Sequence, residues 1–178
     1  MARTIDGRRL TESHRLAQAR LGARAVAMMR DLWPLLDMTA LDATTPRWLR
    51  AAVPMVQSQS VASARLASSY VQSFRRVEAP SAAALRPFVA PPPPAQQVVT
   101  SLTATGPVAV KQQMTRGVPL ERAALGGMSR SSAAALRLAL QGGRDTVNET
   151  IRRDPAALGY ARVTSGDPCA FCAMLAEP

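Results

Sequence analysis

Apolar residues recur every three or four positions along most of this chain and almost nowhere alternate. Leu10, Ala17, Leu21, Ala25, Met28 and Leu32 share one face at a period of about 3.6 residues. Arg15, Arg20, Arg24 and Arg30 lie beside or away from that face. The pattern predicts a long amphipathic helix from about Thr11 to Leu36, capped near Thr11 or Ser13 and ended or kinked at Pro34. A linker, "DMTALDATTP", follows. Thr45 and Pro46 then read as N-cap and first helical residue of a second long helix, from about Arg47 to Val77. Its stripe is Leu49, Val53, Val56, Ala64, Ala67, Val71 and Phe74, with Ser60 on the same face and Pro54 marking a kink or a late start.

The periodicity stops at "APSAAALRPFVAPPPPAQ", residues 79–96. Pro91 to Pro94 lack the N–H groups that a helix interior or a central strand requires. They favour a stiff polyproline II spacer, read as a rigid corner between helical segments rather than as a ligand for a polyproline-binding partner. From Ala95 to Arg116 the pattern gives one or two short helices broken at Gly106-Pro107, with Gly117 as a C-cap. "PLERAALGG" reads as a short helix that starts at Pro119 and stops at Gly126-Gly127. A last helix, capped by Ser129 or Ser131, carries the stripe Leu136, Leu140, Gly143, Val147 and Ile151. Gly142-Gly143 lowers its propensity but permits a close helix crossing. Asp154-Pro155 closes it, and only Tyr160 to Thr164 hints at alternation. The expected class is all-α and elongated. It divides into a long-helix region (1–78), a proline-rich hinge (79–96), a second helical region (97–158) and a short irregular cysteine segment (159–178).

Composition sharpens this picture. The 178 residues suit one domain, or a small domain with an extended arm; 47% are apolar but only 4% aromatic, so helices must meet through small side chains. The formal net charge is +10, and Lys111 is the sole lysine. Arginine's planar fork suits phosphate and carboxylate partners. The candidates for nucleic-acid or anion contact are Arg3, Arg8, Arg9, Arg15, Arg20 and Arg24, and the arm before Thr11 is read as able to stay disordered until it binds. Codon bias accounts for the same arginine excess, so charge alone does not assign DNA binding. No apolar run is long enough for a membrane span, and "MARTIDGRRL" lacks the apolar core of a secretory signal. The expected site of synthesis is a cytoplasm.

Little here points to catalysis. His14 is the only histidine, so any histidine-dependent triad or Cys-His dyad must use it. There is no nucleophile elbow and no phosphate loop, and the carboxylates are scattered. The two cysteines, Cys169 and Cys172, stand in "DPCAFCAML". Such a pair supplies two of the four ligands of a zinc site; the others must come from beyond Pro178 or from another chain. A redox pair and two packed thiols are the alternatives. No cofactor is expected.

The longer stretch "GYARVTSGDPCAFCAML", Gly159 to Leu175, closely resembles the cysteine knuckle of phage minor head proteins of the MuF-like head-morphogenesis group, the actinobacteriophage type in particular. Cys169 and Cys172 match its first cysteine pair. Arg162 and Gly166 match the approach, and Phe171, Met174 and Leu175 the surrounding apolar positions. The family pattern continues to a histidine-proline and a second Cys-x-Cys element that this sequence does not contain. Whether Pro178 is a natural end, a processing site or an artificial boundary stays open. The resemblance implies a minor capsid protein acting in head assembly or DNA packaging, in a group often labelled capsid maturation protease; with no catalytic set assignable in this sequence, a non-enzymatic role is the leading expectation. Its location would be the virion, in the head interior or at the portal vertex, after assembly in the host cytoplasm. Its partners would be the portal or the major capsid protein, with arginines on packaged DNA and self-association open, and no membrane. The alternatives are a capsid maturation protease or a fragment of one, and a scaffolding-like or non-specific DNA-binding protein.

Overall fold

The computed structural model describes Ala2 and residues 4–157, which form five α-helices and no strand. The expected all-α class with long helices is what is found. Residues 158–178, with the Tyr160–Thr164 alternation and both cysteines, lie outside the described residues, as does Arg3.

The first helix, α1, is Ile5–Leu32. It begins six residues before the expected Thr11, because Thr4 is the cap: its Oγ1 accepts the Gly7 N–H at 2.9 Å. Thr11 is an interior residue whose hydroxyl donates to the Gly7 carbonyl. Arg8 and Arg9 are therefore helical, not part of a loose arm. The start is pinned from outside, since the Thr4 N–H and hydroxyl both donate to Glu78 Oε1, at 3.0 and 2.6 Å. The helix stops at Leu32 rather than Leu36, where Trp33–Leu35 tightens into a 3-10 turn around Pro34.

Helix α2, Leu41–Glu78, has 38 residues and is about 57 Å long. It starts earlier than the Thr45-Pro46 signal suggested. Thr44 and Thr45 turn their hydroxyls back onto the Ala40 and Leu41 carbonyls, at 2.9 and 2.6 Å, instead of capping. Pro46 and Pro54 both lie inside it. The fully buried Trp48, Ala52 and Val56 hold the helix on either side of Pro54.

Helices α3 (Ala95–Thr105) and α4 (Pro107–Thr115) break at Gly106-Pro107 as the sequence predicts. Gly117 has a φ of +80°, the left-handed conformation that ends α4. One 34-residue helix, α5 (Leu120–Arg153), then replaces the two expected. Gly126-Gly127 does not stop it, and Ser129 and Ser131 lie inside it. A Cβ on Gly127 would fall 2.4 Å from Val110 Cγ2 and 3.1 Å from Trp33 Cη2. The glycine serves a close approach, not a turn.

The three long helices form a bundle. α1 runs antiparallel to α5, with Gly22 beside Leu136 and Gln18 beside Gly143. α2 runs parallel to α5, from Ser60 against Gly142 to Arg75 against Asp154. The core has two unlike halves. One half is apolar and includes Met29, Trp33, Trp48, Leu102, Val110 and Leu138, the two indoles meeting edge to face at 5.8 Å. The other half is a seam of small and hydroxylated residues. There Ser63 Oγ accepts the Gly143 N–H at 3.1 Å and donates to Gln18 Oε1 at 2.8 Å, while Gln18 Nε2 donates to the Ser63 carbonyl. The expected stripe of the last helix is accordingly displaced: of its five residues only Gly143 is buried, and Leu136, Leu140, Val147 and Ile151 are half-buried.

A parallel helix pair needs a long crossover, and residues 79–94 begin it. This extended strap runs back along α5. Phe88 and Ala90 donate their N–H groups to Thr150 and Thr146 Oγ1, each at 3.0 Å, and Gln57 Nε2 donates to the Pro93 carbonyl at 3.0 Å. Where α2, the strap and α5 meet, Arg75 donates to Asp154 through Nε (2.7 Å) and Nη2 (3.1 Å), and through Nη1 to the Ala83 carbonyl. The residues before and after the strap thus share one core.

Candidate interaction surfaces

Helix α1 sets the candidate anion-binding arginines along its outer side. Its inner face is fixed by Gly7, Gly22, Ala25 and Met29, all buried, so the guanidiniums of Arg8, Arg9, Arg15, Arg20 and Arg24 reach solvent. They are not equally available. Arg15 grips Glu12 with two hydrogen bonds, Nε–Oε2 at 2.8 Å and Nη2–Oε1 at 2.7 Å. That grip holds the Glu12 carboxyl below its ordinary pKa and raises that of Arg15. Arg9 stands 3.7 Å from Asp6 with both side chains well exposed, a pairing of little strength. Arg8, Arg20 and Arg24 make no ion pair among the described residues.

Beside these arginines, α1 and α5 border an open apolar groove of about 500 Å³, lined by Ala19, Ala23, Val26 and Ala27 with Leu136 and Leu140. Gly22 forms its floor, where a Cβ would lie 2.5 Å from Leu136 Cδ1. Leu16, 41% exposed, stands on α1 about one turn before Ala19. The hydrophobic pattern did not mark this groove. Ala19, Ala23 and Ala27 fall outside the apolar stripe assigned to α1, and the α5 leucines were expected to be core.

A second cleft, about 590 Å³, runs between Pro91–Pro94 of the strap and the polar side of α5, at Gln141, Asp145, Asn148 and Glu149. Arg153 donates to Glu149 at 2.6 Å and Arg152 pairs with it as well, which lowers the Glu149 pKa. Arg153 also lies over the Phe88 ring, 4.6 Å from its centroid. Ser60 Oγ, which lines this cleft, is buried without a hydrogen-bond partner among the described residues. Among the described residues, the cleft lining contains no histidine or cysteine.

His14 is half-buried and stacked on Tyr70, ring centroids 4.4 Å apart and planes 10° from parallel. Burial lowers its pKa. Tyr70 in turn shares a 3.0 Å hydrogen bond with Thr11. The imidazole is thus built into the packing between α1 and α2. Among the described residues no three His, Cys, Asp or Glu side chains are grouped to hold a metal, and no helix is long and apolar enough to cross a membrane.

The family described as VG15 protein matches residues 5–177. The chain belongs to that family, a phage protein family. No curated protein and no solved structure matches it.

Proposed function

We propose that this phage protein is a non-enzymatic minor head protein of the MuF-like kind, which binds the portal or the inner capsid during head assembly or DNA packaging. The observation that carries the reading is the Gly159–Leu175 motif, in a chain whose family is a phage family. The fold is compatible with it: a long bundle, cross-tied by the strap, presents an arginine-bearing face and an apolar groove beside it. Cys169 and Cys172 would offer a zinc ion two thiolates, the remaining ligands coming from beyond Pro178 or from another chain. The experiment is mass spectrometry of procapsids and mature virions, with cross-linking to identify neighbours. Expected are low-copy peptides of this chain in both particles, linked to portal or capsid subunits. Presence in procapsids and absence from virions would point to a scaffolding-like role, and absence from both would refute the reading. A protease using His14 predicts that His14→Ala stops capsid cleavage; unchanged cleavage is the expected result.

The exposed arginines support a second contact, with packaged DNA. Arginine–phosphate pairing releases counterions, so affinity should fall steeply and uniformly across sequences as salt rises. Reversing Arg8 and Arg9, at the start of α1, to Glu is expected to flatten that slope, as read by fluorescence anisotropy on a mixed-sequence duplex.

A further inference from the structure

We infer that the groove between α1 and α5 is a docking site for one amphipathic helix of a partner protein, with small apolar residues on its inner face and carboxylates on its flanks. The inference rests on the part of the head-protein reading that gives this chain a protein partner, and it adds the partner's chemistry. Two furrows of the bundle are already occupied: α1 packs along α2 and α5 on one side, and the strap lies along α5 on the other. No described element fills the α1–α5 groove.

Its floor suits a helix. Ala19, Ala23 and Ala27 recur every four residues on α1, so their methyl groups form a straight row that a neighbouring axis can approach closely. Leu136 and Leu140, one turn apart on α5, are half-buried and form the opposite wall. Gly22 draws Leu136 inward and so keeps the floor low.

The charge of the rim selects the partner. Arg30 lines the groove, Arg20 and Arg24 follow Ala19 and Ala23 in sequence on α1, and Arg144 stands one turn beyond Leu140 on α5. None of the four forms an ion pair among the described residues, and Arg144 donates only to the Arg137 carbonyl. Carboxylates at the flanks of an incoming helix would complete these arginines while its apolar face covers the floor. A second copy would instead bring the same arginines, and a net charge of +10, against themselves. A duplex would satisfy the arginines and leave the alanine row and both leucines uncovered.

The test uses the full chain and three fluorescent probes: a synthetic helix of about three heptads with Ala and Leu on one face and Glu at its flanks, the same helix with Lys for Glu, and a mixed-sequence DNA duplex. The Glu-flanked helix should bind and the Lys-flanked one should not. Ala23→Glu, at an exposed position, should weaken binding by about tenfold or more, and so should Arg20→Glu combined with Arg24→Glu, with melting temperatures close to that of the wild type. Equal binding of both helices, binding indifferent to Ala23→Glu, or no helix binding at all would overturn the proposal. Duplex binding without helix binding would give these arginines to nucleic acid, and a dimer split by Ala23→Glu would give the groove to a second copy; either overturns it too. The head-protein reading fails separately, by absence of the chain from particles.

Discussion

At the scale of the residue, His14 and two glycines of α5, Gly142 and Gly126, matter most. Burial favours the neutral imidazole, so His14 titrates below its ordinary value in the fold and near about 6.5 when unfolded. Between those two values the unfolded chain binds the extra proton. The contribution of His14 to stability is therefore complete above the unfolded pKa and is lost as pH falls through that window. Replacing His14 by Phe keeps an aromatic ring against Tyr70 and should remove this segment of the stability–pH curve, as read from urea midpoints between pH 7 and 5. Gly142 presents a different constraint. A Cβ there would lie 2.4 Å from the Ser60 carbonyl oxygen, a backbone atom that cannot step aside. Gly142→Ala should cost about 1–3 kcal/mol in denaturant unfolding despite its better helix propensity. Gly126→Ala is the control. Its new methyl would meet only the ends of the Arg130 and Gln113 side chains, at 3.2 Å, and the helix should gain about 0.5–1 kcal/mol.

At the scale of the element, α5 explains what the sequence could and could not reveal. The break at Gly106-Pro107 was readable because a glycine followed by proline ends a helix for backbone reasons alone. Gly126-Gly127 carries a similar local signal, yet α5 runs through it, because the reason for Gly127 is the distant Val110 and Trp33. Thr45 likewise resembles a cap, while its hydroxyl is spent on Leu41. The buried face of α5 was hidden for another reason. Apolar periodicity favours Leu136, Leu140, Val147 and Ile151, whereas the seam is made by Gly142, Gly143, Thr146 and Thr150, whose side chains are absent or hydroxylated. The arginines of α1 were legible as exposed from their spacing; the groove beside them was not, since it needs α5 to exist. The threonines also hold the strap. Thr146 Oγ1 accepts the buried Ala90 N–H and donates to the Gly142 carbonyl at 2.7 Å. Thr146→Val would leave that N–H buried and unpaired, at a cost of about 1–3 kcal/mol. Limited proteolysis should then cut residues 80–90 sooner than in the wild type.

At the scale of the molecule, the strap turns two helical regions into one body, and a single ion pair joins its far end. Asp154 has its pKa lowered, first by the hydrogen bonds from Arg75 and then by the Ala156 N–H, against the opposing effect of burial. Its contribution to stability is present above the ordinary carboxylate value of about 3.9 and is lost as pH falls through the lower folded value. Asp154→Asn should lower the melting temperature at neutral pH, and the difference from wild type should shrink as the solution is acidified below about pH 4. The surface charge acts on a longer range. With 22 basic and 12 acidic residues, the chain will approach any acidic partner faster at low salt than at high salt.

The unlike halves of the core also give the bundle a mechanical polarity. Interlocking indoles and methionines at the Trp33–Trp48 end resist separation over many contacts. The Ser63–Gly143 end holds by a few hydrogen bonds across backbones in close approach and, beyond them, by the Arg75–Asp154 pair, directional contacts that fail abruptly once parted. Pulled apart in an optical trap by handles at either end of α2 and α5, the helices should yield first from the Thr150 side. Amide exchange along α5 should be graded in the same direction, fastest near Arg153 and slowest near Leu138.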